Sequence, residues 1–376
     1  RQHQRLTDMQ SGAVTDIAGV VDNCDAALRQ AEEMAGVVAK DTVIGIAGEL
    51  VKGTATTVKY KRTDPQTRIE MPELRKILDR VQDRAFDRAR ETLAWETGQQ
   101  EIDVKMVNTA IVDVQIDGYR VTNPIGFQGR DVSIQLFNAF APMVHIGAIQ
   151  QVANNLDLNT INIAAEPFAV AKSVGGEESS DFSAIFIDIG GGTADIAVIS
   201  LGGIVQSKSL KIAGDKLNND IISYIRNEFK ILIGETTAEF IKISVGAVVP
   251  NEPLETTIRG RDLITGLPRE VVITDSDVRE AIGQSIEIIV NSAKEVLETT
   301  PPEILSDIMK RGIFLVGGGA LIKGLDKLLS EMLEIPVTIA EDPLTAIARG
   351  AGIILENLDQ YSSILINSDD DIHRKK

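Results

Sequence analysis

The chain has 376 residues, 43% hydrophobic and 25% charged, and 55 acidic against 38 basic side chains leave a net charge of −17. That composition excludes global disorder, and the acidic balance excludes a general nucleic-acid binder, which needs a basic face to displace counterions. The length suits two or three domains, or one large two-lobed one. The single cysteine, Cys24, can form neither an internal disulfide nor a CxxC metal site and fits a reducing compartment. No apolar run approaches the ~18–20 residues of a membrane span. The polar start, RQHQRLTDMQ, is no signal peptide, and residue 1 is Arg rather than Met, so an upstream segment is expected.

The elements follow in chain order. Residues 11–23 end in a polar stretch. Asp25 to Ala35 reads as a helix with Ala27, Leu28, Ala31, Met34 and Ala35 on one stripe and Gly36 as its stop. TVIGIA (42–47) reads as a buried strand. Residues 54–62 are Thr-rich and strand-like. Pro72 to Leu93 forms a long charged helix, apolar at Leu74, Ile77, Leu78, Val81, Ala85 and Ala89. Strands are expected at 102–107, 109–116 and 131–140, with turns at Asn123-Pro124 and Gly126. This stretch reads as an inserted α+β module over 54–144. A helix is expected over Asn162 to Val174. Apolar strands Ala184–Ile189 and Ala194–Leu201 flank three glycines. Helices are expected at Leu217–Lys230, Thr237–Val245, Asp277–Glu298 and Leu321–Leu333, and a strand at Phe314–Val316. Residues 367–376 read as a disordered tail.

Two glycine runs carry the chemistry. In AIFIDIGGGTADIAVIS (184–200) an apolar strand ends in Asp188. Gly190, Gly191 and Gly192 make a tight turn, and a second strand leaves through Thr193 and Asp195. Residues without side chains let backbone N–H groups approach a phosphate. A strand-end carboxylate suits a hydrated Mg²⁺. A plain hairpin with a glycine turn explains three bare glycines equally well, and the flanking Asp and Thr weigh against it. In GIFLVGGGALIKGL (312–325) a strand meets Gly317, Gly318 and Gly319, then Ala320 and an expected helix, whose N-terminal N–H groups form an anion site. Close βα packing is the alternative. Neither run is a Walker A loop or a GxGxxG fingerprint.

These two runs, with longer stretches around them, resemble the actin-like ATPases, and specifically the bacterial actins MreB and FtsA. The resemblance to MreB spans 162–358 through AEPFAVA (165–171), IAGDKLNNDIISYIR (212–226), LIGETTAEFIKISVG (232–246), RGRDLITGLPRE (259–270), TPPEILSDIMKRGIFLVGGGALIKGLDKLL (300–329) and AEDPLTAIARGAG (340–352). SGAVTDI (11–17), VIGIAG (43–48) and NPIGFQG (123–129) are similar to FtsA instead, which carries an extra subdomain of the SHS2 type at this place. The resemblance therefore implies an α/β, actin-like (RNase H-like) two-lobed ATPase fold with an inserted α+β subdomain. Its divisions are 1–53 (partial first lobe), 54–144 (FtsA-type insertion), 145–183 (return to the first lobe), 184–360 (second lobe with the nucleotide site) and 361–376 (tail).

The resemblance also implies roles. ATP and Mg²⁺ are the expected cofactors. Asp188 would sit by the Mg²⁺, and Gly190 to Thr193 would hold the β- and γ-phosphates. Glu166 would orient or activate the attacking water; read alone, it is an ordinary acidic helix start before Pro167. Glu239 and Lys242, three apart on one helix face, would contact ribose and adenine, although the spacing alone gives a solvated ion pair. Gly318, Gly319 and Ala320 would line the adenosine side, with Gly317 also ATP-binding. The first phosphate loop of the family, DxGTxxx, is not found before residue 11, so nucleotide binding and ATPase activity are expected of a longer protein and impaired in this segment.

The implied activity is a filament-forming bacterial actin homologue with slow ATP hydrolysis, acting in cell division or cell shape. Its expected partners are further copies of itself, the tubulin-like FtsZ or other division and envelope proteins, and no nucleic acid. It would be cytoplasmic, at the inner face of the cell membrane if peripherally attached. The alternatives are a non-polymerising FtsA-like adaptor of type IV pilus assembly and, less favoured, a sugar or acetate kinase. His3, His145 and His373 share no metal spacing. Trp95 is expected to pack in a satellite core. Leu358, Tyr361 and Leu365 make only a weak apolar stripe, and the acidic run that follows opposes anionic lipid.

Overall fold

A computed structural model describes residues 7–10, 12–48, 51–98, 100–121, 123–175, 183–200, 203–250 and 252–358. The tail from 359 on, with Tyr361 and Leu365, lies outside the described residues, as do His3 and His373. The chain divides into two compact units. The first comprises residues 1–182, 198–207 and 347–376, and the second 183–197 and 208–346.

In the first unit, a short hairpin of β1 (Met9–Gln10) and β2 (Ala13–Val14) leads into helix α1 (Ile17–Ala35). The helix begins eight residues before the expected start. Asp16 is its N-cap and accepts from the Ala18 amide at 3.1 Å, and Gly36 closes it at φ +69° as expected. Strand β3 (Asp41–Ile46) follows the expected position. Next comes β4 (Lys52–Lys61), then helix α2 (Met71–Thr97), then β5 (Val104–Ile116), β6 (Tyr119–Arg120) and β7 (Asp131–Pro142). The expected strands 102–107 and 109–116 are one strand, β5, interrupted by register shifts at Met106/Asn108 and Ile111/Asp113. The sheet order is β4-β7-β5-β6, and α2 lies along it.

The reason is legible in the pattern. The α2 stripe Leu74, Ile77 and Val81 meets Val58, Val114, Ile134 and Leu136, while Ala85, Ala89 and Leu93 meet Ile102, Val104 and Phe140. Trp95 is not a core residue. It stands 84% exposed, because the stripe has passed to Leu93 and Ala94. Arg62, by contrast, is buried and ties three segments together. It donates to both Glu73 carboxylate oxygens (2.9 and 2.8 Å), to the Thr67 carbonyl (2.9 Å) and to the Gly129 carbonyl (3.1 Å).

Helix α3 (Met143–Asn155) leads to β8 (Asn159–Ala165), which pairs in parallel with β3, and α4 (Glu166–Gly175) follows directly. The helix expected from Asn162 therefore begins at Glu166. Residues 159–165 are a strand because β3 offers a parallel partner, from Asp41↔Asn159 to Ile46↔Ala165.

A five-stranded sheet, most of it in the second unit, has the order β11-β10-β9-β15-β16. Its strands are β9 (Ala184–Ile189), β10 (Ala194–Ser200), β11 (Gly203–Leu210), β15 (Ile313–Val316) and β16 (Val337–Ile339). The β9–β15 and β15–β16 pairs are parallel. Between them lie α5 (Gly214–Glu228), a small sheet of β12 (Ile231–Leu232), β13 (Glu255–Asp262) and β14 (Pro268–Thr274), and helices α6 (Glu235–Val245), α7 (Asp275–Glu298) and α8 (Pro302–Arg311). Every residue of β9 is buried, which is why it reads as a continuous apolar run. Thr274 and Asp277 form a capping box that starts α7. Helix α9 (Leu325–Leu333) closes this unit, and α10 (Ala346–Glu356) returns the chain to the first. Among the described residues no helix is long and apolar enough to cross a membrane.

Candidate functional site

Most of the expected site residues lie in the second unit. Asp188 is the second-to-last residue of fully buried β9 and is itself buried. Gly190 to Thr193 turn the chain into β10, closed by the Gly190 amide donating to the Thr193 carbonyl at 3.0 Å. None of these three glycines takes a left-handed φ. A Cβ on Gly191 would meet nothing nearer than the Asp215 carboxylate at 3.7 Å, and Gly191 is exposed. Neither backbone conformation nor internal packing requires glycine there. The missing side chain leaves room for something outside the chain, as a phosphate-approaching loop requires.

Two carboxylates flank this hairpin. Burial, and then the charge of Asp195, push Asp188 up to about 7. Burial raises Asp195 too, partly offset by the Ser209 and Thr193 hydroxyls; Thr193 Oγ1 donates to it at 2.9 Å. A buried pair that disfavours two negative charges suits a divalent cation, and Mg²⁺ takes one or two carboxylates with water and phosphate oxygens completing its shell. The donor set therefore fits Mg²⁺. Among the described residues no group of three or more His, Cys, Asp or Glu could hold a metal alone.

The hairpin is tied to the start of α5. The Gly214 amide donates to the Gly190 carbonyl (3.0 Å) and the Asp215 amide to the Gly191 carbonyl (2.8 Å). Helix α6 joins the same network. Lys242 Nζ pairs with Glu239 Oε2 at 2.6 Å and donates to the Gly214 carbonyl at 3.2 Å. Asn218 Nδ2 donates to the same Glu239 oxygen at 2.7 Å. The ion pair expected from the i,i+3 spacing is thus present, and it is a half-buried part of a network. Burial raises the carboxyls of Asp215 and Glu235 beside it. Asn218 and Glu235 escaped the sequence reading. Asn218 lies on the buried stripe Leu217, Ile221, Ile225 of α5, and a polar residue on an apolar stripe was the available signal.

The second glycine run differs from the expectation of a helix at Leu321. Residues Gly318–Leu321 form a 3₁₀ turn, and α9 starts only at Leu325, after Gly324 at φ +80°. No α-helical N-terminus abuts the glycines. A Cβ on Gly317 would come within 2.3 Å of the Asp188 carboxylate, and one on Gly319 within 2.3 Å of Ile189. These two glycines are needed for close packing on β9. Gly318 faces Leu344, and Ala320 is buried. Glu166 belongs to the first unit. It opens α4, and a Cβ on Gly45 of β3 would lie 3.0 Å from its side chain.

Residues 139–363 match the family model described as MreB/Mbl protein. The chain belongs to the MreB/Mbl family. The cell shape-determining protein Mbl of Bacillus subtilis (strain 168) is 47% identical over 214 residues, 57% of this chain and 64% of Mbl. The cell shape-determining protein MreB of Escherichia coli (strain K12) is 41% identical over 230 residues, 61% of this chain and 66% of MreB. The chain thus spans less than two thirds of that Mbl. Among solved structures, MreB5 of Spiroplasma citri bound to AMPPNP is 36% identical with a TM-score of 0.55, covering 58% of this chain and 66% of that one. The ADP-bound MreB5 covers 95% of this chain and 80% of its own at 25% identity and TM-score 0.62. A PilM–PilN type IV pilus biogenesis complex matches in fold, at 14% identity and TM-score 0.59, over 93% of this chain and 88% of that one. The family's actin-like, two-lobed α/β fold is thus the fold of this chain.

Proposed function

We propose that this MreB/Mbl-family chain is an ATP-binding, filament-forming actin homologue that acts in cell shape. The observation that carries the proposal is the hairpin 190–193, open at Gly191 and set between the Asp188–Asp195 carboxylate pair and the Glu239–Lys242 ion pair. The nucleotides bound to the MreB5 relatives support ATP, and the names of the Mbl and MreB relatives favour cell shape over division. Asp188 would hold Mg²⁺, which neutralises phosphate charge when bound. The amides of 190–193 would hold the β- and γ-phosphates, Glu239 would face the ribose, and Gly318 and Ala320 the adenosine side. Glu166 would orient the attacking water. Phosphoryl transfer asks mainly for such positioning and charge stabilisation.

A fluorescent ATP analogue titrated against the purified chain tests the reading. Saturable binding, displaced by ATP and weakened by EDTA and by Asp188→Ala, is expected. Signal that ATP does not displace would reject it.

One observation favours a second reading: β4–β7 with α2 form a sheet with cores of its own. As an FtsA-type subdomain over 54–144 it would serve a peptide or membrane-protein partner of a pilus or division adaptor. Sedimentation with ATP separates the two, since ATP-dependent pelleting of the chain removes the non-polymerising adaptor.

A further inference from the structure

The geometry points to the open edge of β4 as a docking site for a second copy of this chain. Two β4 strands would pair antiparallel about a two-fold axis at Thr57 and join two four-stranded sheets into one. Among the described residues β4 pairs on one side only, with β7. The Arg62 amide donates to the Arg130 carbonyl at 2.8 Å, so the backbone of Arg62 faces β7. The alternation of an antiparallel ladder then turns the N–H and C=O groups of Gly53, Ala55, Thr57, Lys59 and Lys61 outward. The last four of these residues are exposed. Helix α2 lies on one face of the sheet, tied to β4 by the Glu73–Arg62 and Glu96–Lys52 ion pairs, and leaves the plane of the edge open.

The two edges of this sheet differ. On the far side β5 shifts register at Met106/Asn108 and at Ile111/Asp113, and β6 covers one end. Such irregularities discourage a further strand. Strand β4 has none and stays in register with β7 from Lys52 to Lys61. Its lysines are the usual guard on an edge. About a two-fold at Thr57, however, Lys59 stands opposite Ala55 of the second copy, Lys61 stands opposite Gly53, and Thr57 meets its own image. No lysine faces a lysine, and a Thr–Thr pair sits at the centre. All five outward residues then have partners, whereas an axis at Lys59 would set that lysine against itself. Net charge does not oppose the pairing either. Residues 54–144 carry 13 basic and 13 acidic side chains, so the whole −17 lies outside this module. A foreign peptide could satisfy the same backbone groups, but the two-fold also matches the side chains at every outward position, which favours a second copy.

Sedimentation velocity of the purified chain in EDTA, with no nucleotide, should show a concentration-dependent dimer. Thr57→Pro removes an outward N–H from each copy and leaves the bonds to β7 in place, so the dimer should weaken about tenfold or more. Cross-linking reads the register on an otherwise native strand, and so stands even if the proline variant fails to fold. In a Cys24→Ser background, Thr57→Cys should give a disulfide-linked dimer on mild oxidation. Directly opposed residues of a hydrogen-bonded pair have Cα atoms ~5.5 Å apart, within disulfide reach. Ala55→Cys alone should not cross-link, because its two images would stand about 14 Å apart along the strands. Mixed with Lys59→Cys, it should. A chain that stays monomeric at every concentration overturns the proposal and leaves the edge to an extended peptide. A dimer that Thr57→Pro, folded, leaves unchanged, or one in which Ala55→Cys links to itself as readily as Thr57→Cys, overturns it too. The nucleotide reading is untouched by any of these results, since no nucleotide is present.

Discussion

At the scale of single residues, Asp188 concentrates the site's electrostatics. Its carboxyl rises from 3.8 to about 7 through burial and the nearby Asp195. The native chain therefore keeps a proton that the unfolded chain releases near pH 4. The stability tied to that proton is complete below about pH 4 and lost as pH rises through about 7. Asp188→Asn keeps the shape and removes the charge. In EDTA at pH 8 the variant should melt above wild type, by at most about 4 kcal/mol at ~1.4 kcal/mol per pH unit. Near pH 4 the two should converge. Thermal melts from pH 4 to 8 check this, and parallel curves for the two proteins would count against a raised Asp188. Mg²⁺ should narrow the gap at pH 8 by restoring a counter-charge to wild type alone. Much of this site is legible at residue level. Asp188, the 190–193 turn and the Glu239–Lys242 spacing all stand in the sequence. The Asn218–Glu239 bond does not, because the two residues lie 21 positions apart on different helices.

At the scale of elements, Arg62 decides the integrity of the sheet that carries α2. A buried guanidinium is tolerated because Glu73, Thr67 and Gly129 satisfy it together. Arg62→Ala leaves the Glu73 carboxylate and two carbonyls without their donor, and should cost about 3–5 kcal/mol. The loss should be local. Hydrogen exchange should quicken in 62–73 and 123–131, while β9 and α7 keep their protection. Exchange that quickens uniformly would mean that Arg62 supports the whole chain instead. The elements also show where sequence reading stops. Strands buried on both faces, such as β9, and long stripes, such as α2 and α7, follow from local pattern. Strand β8 does not. Ile161, Ile163 and the alanines around them fit helix and strand alike, and only the parallel partner β3 decides. The β13–β14 hairpin is likewise not legible: β13 offers one buried apolar position, Ile258, and Val272 of β14 is apolar but exposed. Helix α9 starts late because Gly324 packs on Val249 in a left-handed conformation.

At the scale of the whole molecule, the charge of −17 bears on the proposed assembly. A filament stacks like-charged copies, so each added subunit works against self-repulsion. The Debye length falls from about 30 Å at 0.01 M salt to about 8 Å at 0.15 M. Repulsion between whole subunits acts over tens of ångströms and is screened across that interval. Apolar contact between subunits is not weakened by it, and exposed apolar residues are available on the second unit at Ile243, Ile264 and Leu267. The critical concentration for assembly with ATP should therefore fall as salt rises from about 10 to about 150 mM. Light scattering at a series of protein concentrations measures it at each salt. A critical concentration that climbs over the same interval would show that attraction between opposite charges, rather than apolar contact against net repulsion, holds the subunits together. Ile264→Lys then separates the contributions. If the 263–267 tip is part of the contact, this change should raise the critical concentration at every salt, because burying a lysine costs far more than losing an isoleucine.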